Sequence, residues 1–374
     1  MNDSNYIFLH KVLKAIADSI IKIFIPLYIL KVTNELWLAI TYVIAQSFLT
    51  SITMIILKKV LQKHGLACII IHCFFIIATQ AIFSFFNINI YVVLICALLM
   101  AFAQTLYSIP LNILFTKADK TINVAKFQIA TNVGKLCFML FSGIILSKIP
   151  DSFLYLSIIA TVFYLLSILP ICLAYKDLKQ TFRAKKIKDN SDNAPTKTTK
   201  WFNVFHYSFG LFQIIIEVVV PLYLYINNLS FEAVTTIIAL IELLKILSNI
   251  LAKWLVKKNY YIFSFIASTT IFVLCLFGII LFKNAVVLYI LSCLISVSFP
   301  LCFVPMFNLF CNNINKNNNL EEQMTRRDFD IFAPRPILYS TYFLGFSLLP
   351  CLCFGFVSAT ALLLSEIKAF KKTN

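Results

Sequence analysis

Ile25-Pro26-Leu27-Tyr28 returns as Val220-Pro221-Leu222-Tyr223, 195 residues further along the chain. The same interval separates Lys58 and Lys63 from Lys253 and Lys258, and Pro110 from Pro305. Three unrelated landmarks at one spacing describe an internal repeat in which the second half of the chain restates the first.

The repeat is written in apolar sequence. Runs of roughly 20 residues, the length needed to cross a ~30 Å hydrocarbon core, are read at 8–30, 36–57, 66–86, 90–115, 124–146 and 153–175. After a polar gap they resume at 201–226, 231–251, 261–282, 285–310, 328–348 and 351–367. No small-residue cleavage site follows the first run, so it is expected to stay in place as a helix. The expected fold is an all-α polytopic membrane protein with twelve transmembrane helices. Its first six-helix bundle covers 1–175, a cytoplasmic linker 176–200, and its second bundle 201–374.

Composition agrees. Hydrophobic residues make up 60% of the 374 and charged residues only 13%, with a mean hydropathy of +0.88. A soluble domain would carry about 25% charge. The net charge of +16 would suggest nucleic acid in a soluble protein. Here the cations lie in short runs between apolar segments, and no nucleic-acid partner is expected. The Lys-, Asn-, Asp- and Thr-rich linker reads as solvated, and 312–319, rich in asparagine, reads as loop. The eleven cysteines lie mostly inside apolar segments without a CxxC pair. They read as small packing residues, with no metal and no cofactor.

Orientation follows from the cations. With both termini inside, 25 of the 32 Lys/Arg fall at cytoplasmic ends and loops, against Lys31, Lys148 and Lys283 outside. This asymmetry satisfies the positive-inside rule and places the chain in the cell membrane with both termini cytoplasmic.

Six helices per half return the chain to the side where it started, so the two halves repeat in parallel about an axis along the membrane normal. On these residues the chain resembles the major facilitator superfamily. That resemblance implies alternating access by rocking of two bundles around a site near the midplane. Aligned on Gly65, the family's G-x-x-x-D-R-x-G loop has Lys58, Gln62 and Lys63 where the first glycine, the aspartate and the arginine stand. Without the aspartate, the usual cytoplasmic gate is in question. Asn132-Val133-Gly134-Lys135 is similar to the family's N-x-G-R in the fifth helix. Arg327-Asp328 with Arg335 is similar to the R-E…R that opens the eleventh.

Seven ionisable residues fall mid-helix: Asp18, Lys22, Lys135, Glu217, Glu242, Lys245 and Arg335. Facing lipid, each would cost about 2.5–3.5 kcal/mol, so they must face one another or a wet cavity. Asp18 and Lys22 share a face, as do Gln213 and Glu217, and the 195-residue interval relates the two pairs. Glu242 and Lys245, three apart, are spaced for a pair of their own. Gln128, Asn132 and Lys135 make another polar stripe, and Gln104, Ser108 and Asn112 a fourth. His72 and His206 read as hydrogen-bonded packing residues. The expected substrate or coupling residues are Asp18, Lys22, Gln104, Asn132, Lys135, Gln213, Glu217 and Arg335. Glu217, with no cation on its own helical turn, is the expected proton site.

These features suit a monomeric secondary transporter for a small solute, with a slight cationic excess favouring an organic anion or zwitterion and protons as the candidate coupling ion. The alternatives are a non-transporting scaffold or receptor, which would carry a sizeable soluble domain, and an integral membrane enzyme. Four histidines and short loops offer no catalytic set for the latter.

Overall fold

A computed structural model describes residues 3–118, 124–149, 152–183, 198–227, 229–314 and 320–371. Among them there are sixteen α-helices and no strand. The first expected span is two helices, α1 (Asp3–Ile20) and α2 (Ile25–Thr33), with a 3-10 turn, Lys22–Phe24, between them. There follow α3 (Leu36–Ile56), α4 (Lys58–Phe85), α5 (Ile90–Ala118), α6 (Val124–Lys148) and α7 (Ser152–Leu173).

The seventh expected span is again divided, into α9 (Thr198–Ile214), a π-helical turn at Ile215–Val219, and α10 (Val220–Ile226). Then come α11 (Phe231–Lys257), α12 (Tyr261–Leu281) and α13 (Ala285–Ile314). The eleventh expected span is α14 (Leu320–Phe332), α15 (Arg335–Ser340) and a 3-10 turn at Thr341–Leu344, before α16 (Leu349–Lys371). Nine helical stretches among the described residues are long and apolar enough to cross a membrane.

Proline explains the divided helices. A proline ring removes one backbone donor and collides with the carbonyl four residues earlier. For Pro26 that carbonyl belongs to Lys22, and for Pro221 to Glu217. The helix is therefore interrupted in both halves at the charged residue the repeat pairs, which frees backbone groups beside it.

α1 packs on α6 and α7, and α5 on α3 and α4; α13 packs on α11 and α12, and α9 on α14 and α16. The two groups meet where α6 lies along α11 and where α3 lies along α14 and α15. Glycine permits two of the closest approaches. A Cβ at Gly143 would lie 2.5 Å from Thr235 on α11, and one at Gly210 would lie 2.1 Å from the Ile331 carbonyl on α14. Large apolar side chains such as Leu173, Phe74 and Phe277 point outward, the pattern expected of a surface that faces lipid rather than water.

Several expected boundaries move. α4 starts at Lys58, before the expected 66, and is kinked at His64. α14 starts at Leu320, so Arg327 and Asp328 are in mid-helix and do not open it. The start of the expected linker is a helix, α8 (Tyr175–Arg183), that buries Leu178 and Phe182. The Phe182 ring rests on Gly65, where a Cβ would lie 2.2 Å from it. Residues 184–197 and most of the asparagine-rich stretch lie outside the described residues.

Candidate solute-binding cavity

A cavity of about 400 Å³ lies between the two groups of helices. All eight residues expected from sequence line it: Asp18, Lys22, Gln104, Asn132, Lys135, Gln213, Glu217 and Arg335. Six further charged residues also line it, namely Lys11, Lys14, Glu242, Lys245, Arg327 and Asp328. Lys11 and Lys14 share the face of α1 that carries Asp18, at steps of three and four, so their helical spacing was the signal.

On the first wall, Asp18 is the hub. It takes hydrogen bonds from Lys14 Nζ at 2.5 Å and the Tyr164 hydroxyl at 2.6 Å. Lys22 Nζ is 4.0 Å away and donates to Gln104 Oε1 at 3.3 Å. The nearer partner of Asp18 is thus Lys14, not the Lys22 expected from sequence. Lys135 makes no hydrogen bond or ion pair with the described residues and faces the cavity.

On the second wall, a connected chain of polar contacts joins α14, α15, α9, the π turn and α11. Arg335 donates to Gln213 Oε1 at 2.8 Å and to the Ile331 carbonyl at 3.2 Å. Gln213 donates to Glu217 Oε2 at 3.2 Å. Lys245 Nζ lies 3.5 Å from Glu217 and 2.8 Å from Glu242. The expectation that Glu217 lacks a cation holds for its own helix only. α11 supplies one, and Lys245 is shared by two acids. The Glu242–Lys245 pairing itself is present as the spacing suggested.

Aromatic faces carry several of these cations. Lys14 lies over Tyr107 at 4.1 Å, Arg335 over Phe332 at 4.0 Å, and Arg327 over Phe307 at 4.5 Å. A quadrupole beneath a cation stabilises it without neutralising it, so the charge remains available to the cavity. Counted over the lining, Lys11, Lys14, Lys22 and Lys135 against Asp18 give the first wall a net charge of +3. On the second wall Lys245, Arg327 and Arg335 balance Glu217, Glu242 and Asp328.

Ion pairs flank the cavity on the side where α4 begins. Lys58 meets Glu322 at 3.1 Å and Lys117 meets Glu321 at 3.0 Å, while Asn112 donates to Asp328 at 3.2 Å. Lysines from α4 and α5 thus hold glutamates of α14 beside the segment 58–65, which lacks the family's aspartate and is the start of α4. On the other side Lys148 and Ser147 reach Glu232. His72 is buried, bonded to the Ile69 carbonyl and 4.5 Å from the Tyr107 ring. His206 packs edge-on against Phe310. Both histidines pack as expected.

Residues 7–319 match the sequence profile of the Major Facilitator Superfamily. The chain belongs to that superfamily. The protein is accordingly a multi-pass membrane transporter of small solutes and not an enzyme.

Solved superfamily members share its fold at low sequence identity. A bacterial homologue of the iron transporter ferroportin, in an outward-facing state, superimposes with TM-score 0.72 at 15% identity, covering 99% of each chain. The human organic anion transporter MFSD10 gives 0.67 at 10% identity, over 97% of this chain and 98% of its own. The nucleoside transporter NupG gives 0.69 at 11% identity, over 99% and 100%. No curated protein matches the chain in sequence.

Proposed function

We propose that this superfamily member is a secondary active transporter that carries a small organic anion or zwitterion across the cell membrane by alternating access, with Glu217 as the proton-coupling carboxylate. The observation that carries the reading is the unequal charge of the two walls: +3 on the first, with Lys135 unpaired among the described residues, against zero on the second. An anionic group would settle against the first wall and neutralise it. A zwitterion's ammonium would find Glu217, whose side chain is 32% exposed, on the second. A metal cation fits poorly, since the cavity is net positive and no metal-holding cluster occurs among the described residues.

Coupling rests on the triad of Glu217, Lys245 and Glu242. Two carboxylates on one ammonium leave one negative charge in excess, and a proton arriving at Glu217 cancels it. Residues 1–175 and 201–374 would form the two rocking units, with both termini cytoplasmic. This orientation makes Asn259, at one end of α12, reachable from the cytoplasm and Asn284, at the other, reachable from outside.

The test is reconstitution into liposomes with a panel of anionic, zwitterionic and cationic solutes, with and without a pH gradient. Uptake of anions or zwitterions, driven by the gradient, is the expected result. Transport confined to cationic solutes would overturn the proposal.

A further inference from the structure

A second compartment lies back to back with the first. An apolar groove of about 820 Å³ runs between α3 and the broken helix α14–α15, lined by Ile44, Phe48, Ile55, Phe329, Pro336 and Ile337 among others. The same helices turn their other faces to the charged cavity. Val43 and Ser47 face the cavity where Ile44 and Phe48 face the groove, and Phe332 and Arg335 face the cavity where Ala333 and Pro336 face the groove. One helix thickness, about 10 Å, separates a cationic chamber from a hydrocarbon-like one.

The groove offers nothing to a polar ligand. Its three hydroxyls already have protein partners: Ser51 donates to the Ser47 carbonyl, Ser340 to that of Pro336, and Thr341 to that of Leu338, with Cys351 Sγ 3.4 Å away. Pro336 has no backbone N–H to give. Along α3 the groove extends from Ile44 to Ile55, about 16 Å at 1.5 Å per residue, roughly half of a ~30 Å hydrocarbon core. The seam beside it is weakened at Ala333-Pro334, where α14 stops and α15 begins.

We infer that the seam between α3 and α14–α15 is a lateral portal, and that the solute is an amphiphilic anion whose headgroup sits among the cavity cations while its single alkyl chain lies in the groove. This rests on the anion reading of the cavity and narrows it. A solute built this way reaches the cavity from the bilayer, where its tail already resides. The tail gains little by exchanging lipid for groove, because lipid tails and apolar side chains are equivalent neighbours. Selectivity therefore comes from the headgroup, and the groove serves to keep the tail out of a polar chamber.

The experiment uses phosphatidylcholine proteoliposomes and two hexadecyl probes with a terminal diazirine, one a phosphate and one a carboxylate. Adducts are mapped after illumination. At least one probe is expected to label Phe48, Ile55, Phe329 or Ile337 above the lipid-facing controls Leu173 and Phe277. The matching short anion, ethyl phosphate or propanoate, should displace that label, leaving about a tenth at ~10 times its Kd.

Ala333→Trp, or Ile337→Trp if the first fails to fold, should block labelling and leave short-anion binding unchanged. Groove labelling that the short anion does not displace is boundary lipid and overturns the portal, as does labelling no stronger than at the controls. Calorimetry of the short anion separates the two claims. Binding that Lys135→Met weakens about tenfold, without displacement of the tail probe, sinks the portal alone. No binding of either short anion to the wild-type protein sinks the anion reading and the portal together.

Discussion

Lys245 Nζ lies 3.5 Å from the carboxylate of Glu217, reaching across from α11 to the π-helical turn while holding Glu242 at 2.8 Å. Glu242 and Lys245 have side chains only 4% exposed, whereas Glu217 opens onto the cavity. Of the two acids, Glu217 is the more exposed. Glu217→Gln fixes the neutral form while keeping the shape of the Gln213 contact. In proteoliposomes it should abolish accumulation driven by a pH gradient and preserve counterflow exchange. Retained accumulation against a gradient would remove Glu217 from the coupling role.

Lys245 itself answers differently. Lys245→Met strands Glu242 as a buried, unpaired charge, a change that costs about 3–5 kcal/mol in such settings. Thermal unfolding in detergent should fall well below wild type. Lys245→Met combined with Glu242→Gln should recover most of the loss, and failure to recover would show that the lysine acts through packing.

Lys135 and Asp18 should separate binding from stability. Lys135 has no partner to abandon among the described residues, so Lys135→Met should leave abundance near wild type and weaken anion affinity about tenfold, the size of one charge-assisted contact. Asp18→Asn leaves Lys14 and Lys22 facing each other without their carboxylate and should lower stability first. Titration calorimetry alongside melting curves distinguishes the two patterns.

The lysine–glutamate contacts of α4 and α5 with α14 should control exposure more than folding. Ion pairs of this kind contribute up to ~1 kcal/mol, which is nevertheless about a fivefold change in the balance between two conformations. Glu321→Lys should speed labelling of a cysteine placed at Asn112 in a cysteine-depleted protein. Adding Lys117→Glu should slow it again. Equal rates in all three proteins would mean these pairs do not hold the bundles together.

At Gly210 the prediction is steric. A methyl group there meets the Ile331 carbonyl, which also receives Arg335 Nε. Gly210→Ala should push α14 from α9, destabilise the protein by about 1–3 kcal/mol, and loosen Arg335 from Gln213. Crosslinking between cysteines at Gln213 and Arg335 would report the separation.

The charged cavity was legible because an isolated charge inside an apolar run stands out and has few places to go. Asp18, Lys22, Lys135 and Arg335 were found that way. Lys11 was missed because a cation near the start of a span looks like a flanking cytoplasmic charge, and Lys14, readable on the face of Asp18 and Lys22, was left out of the site for the same reason. Arg327 and Asp328 were misplaced because α14 carries a polar stretch, Glu321 to Arg326, that conceals its beginning. The Glu217–Lys245 contact was not legible at all. Spacing along one helix reports neighbours on that helix, and this pair joins two. The interrupted helices could be read from Pro26 and Pro221, but proline marks only where the ladder fails, and one break became a 3-10 turn while the other became a π turn.

That π turn fits one more residue into a turn of helix than its neighbours do, so α10 is out of phase with α9 by about 100°. Deleting a single residue between Ile215 and Val219 would remove the extra residue of the π turn, although Pro221 would still interrupt the ladder, and it would scarcely shorten the helix. It would instead swing Tyr223 and Tyr225 a quarter-turn or so around the axis. Length changes here act as a screw thread does, trading one residue of sequence for rotation, and an insertion or deletion would re-aim side chains ten residues away without altering one of them.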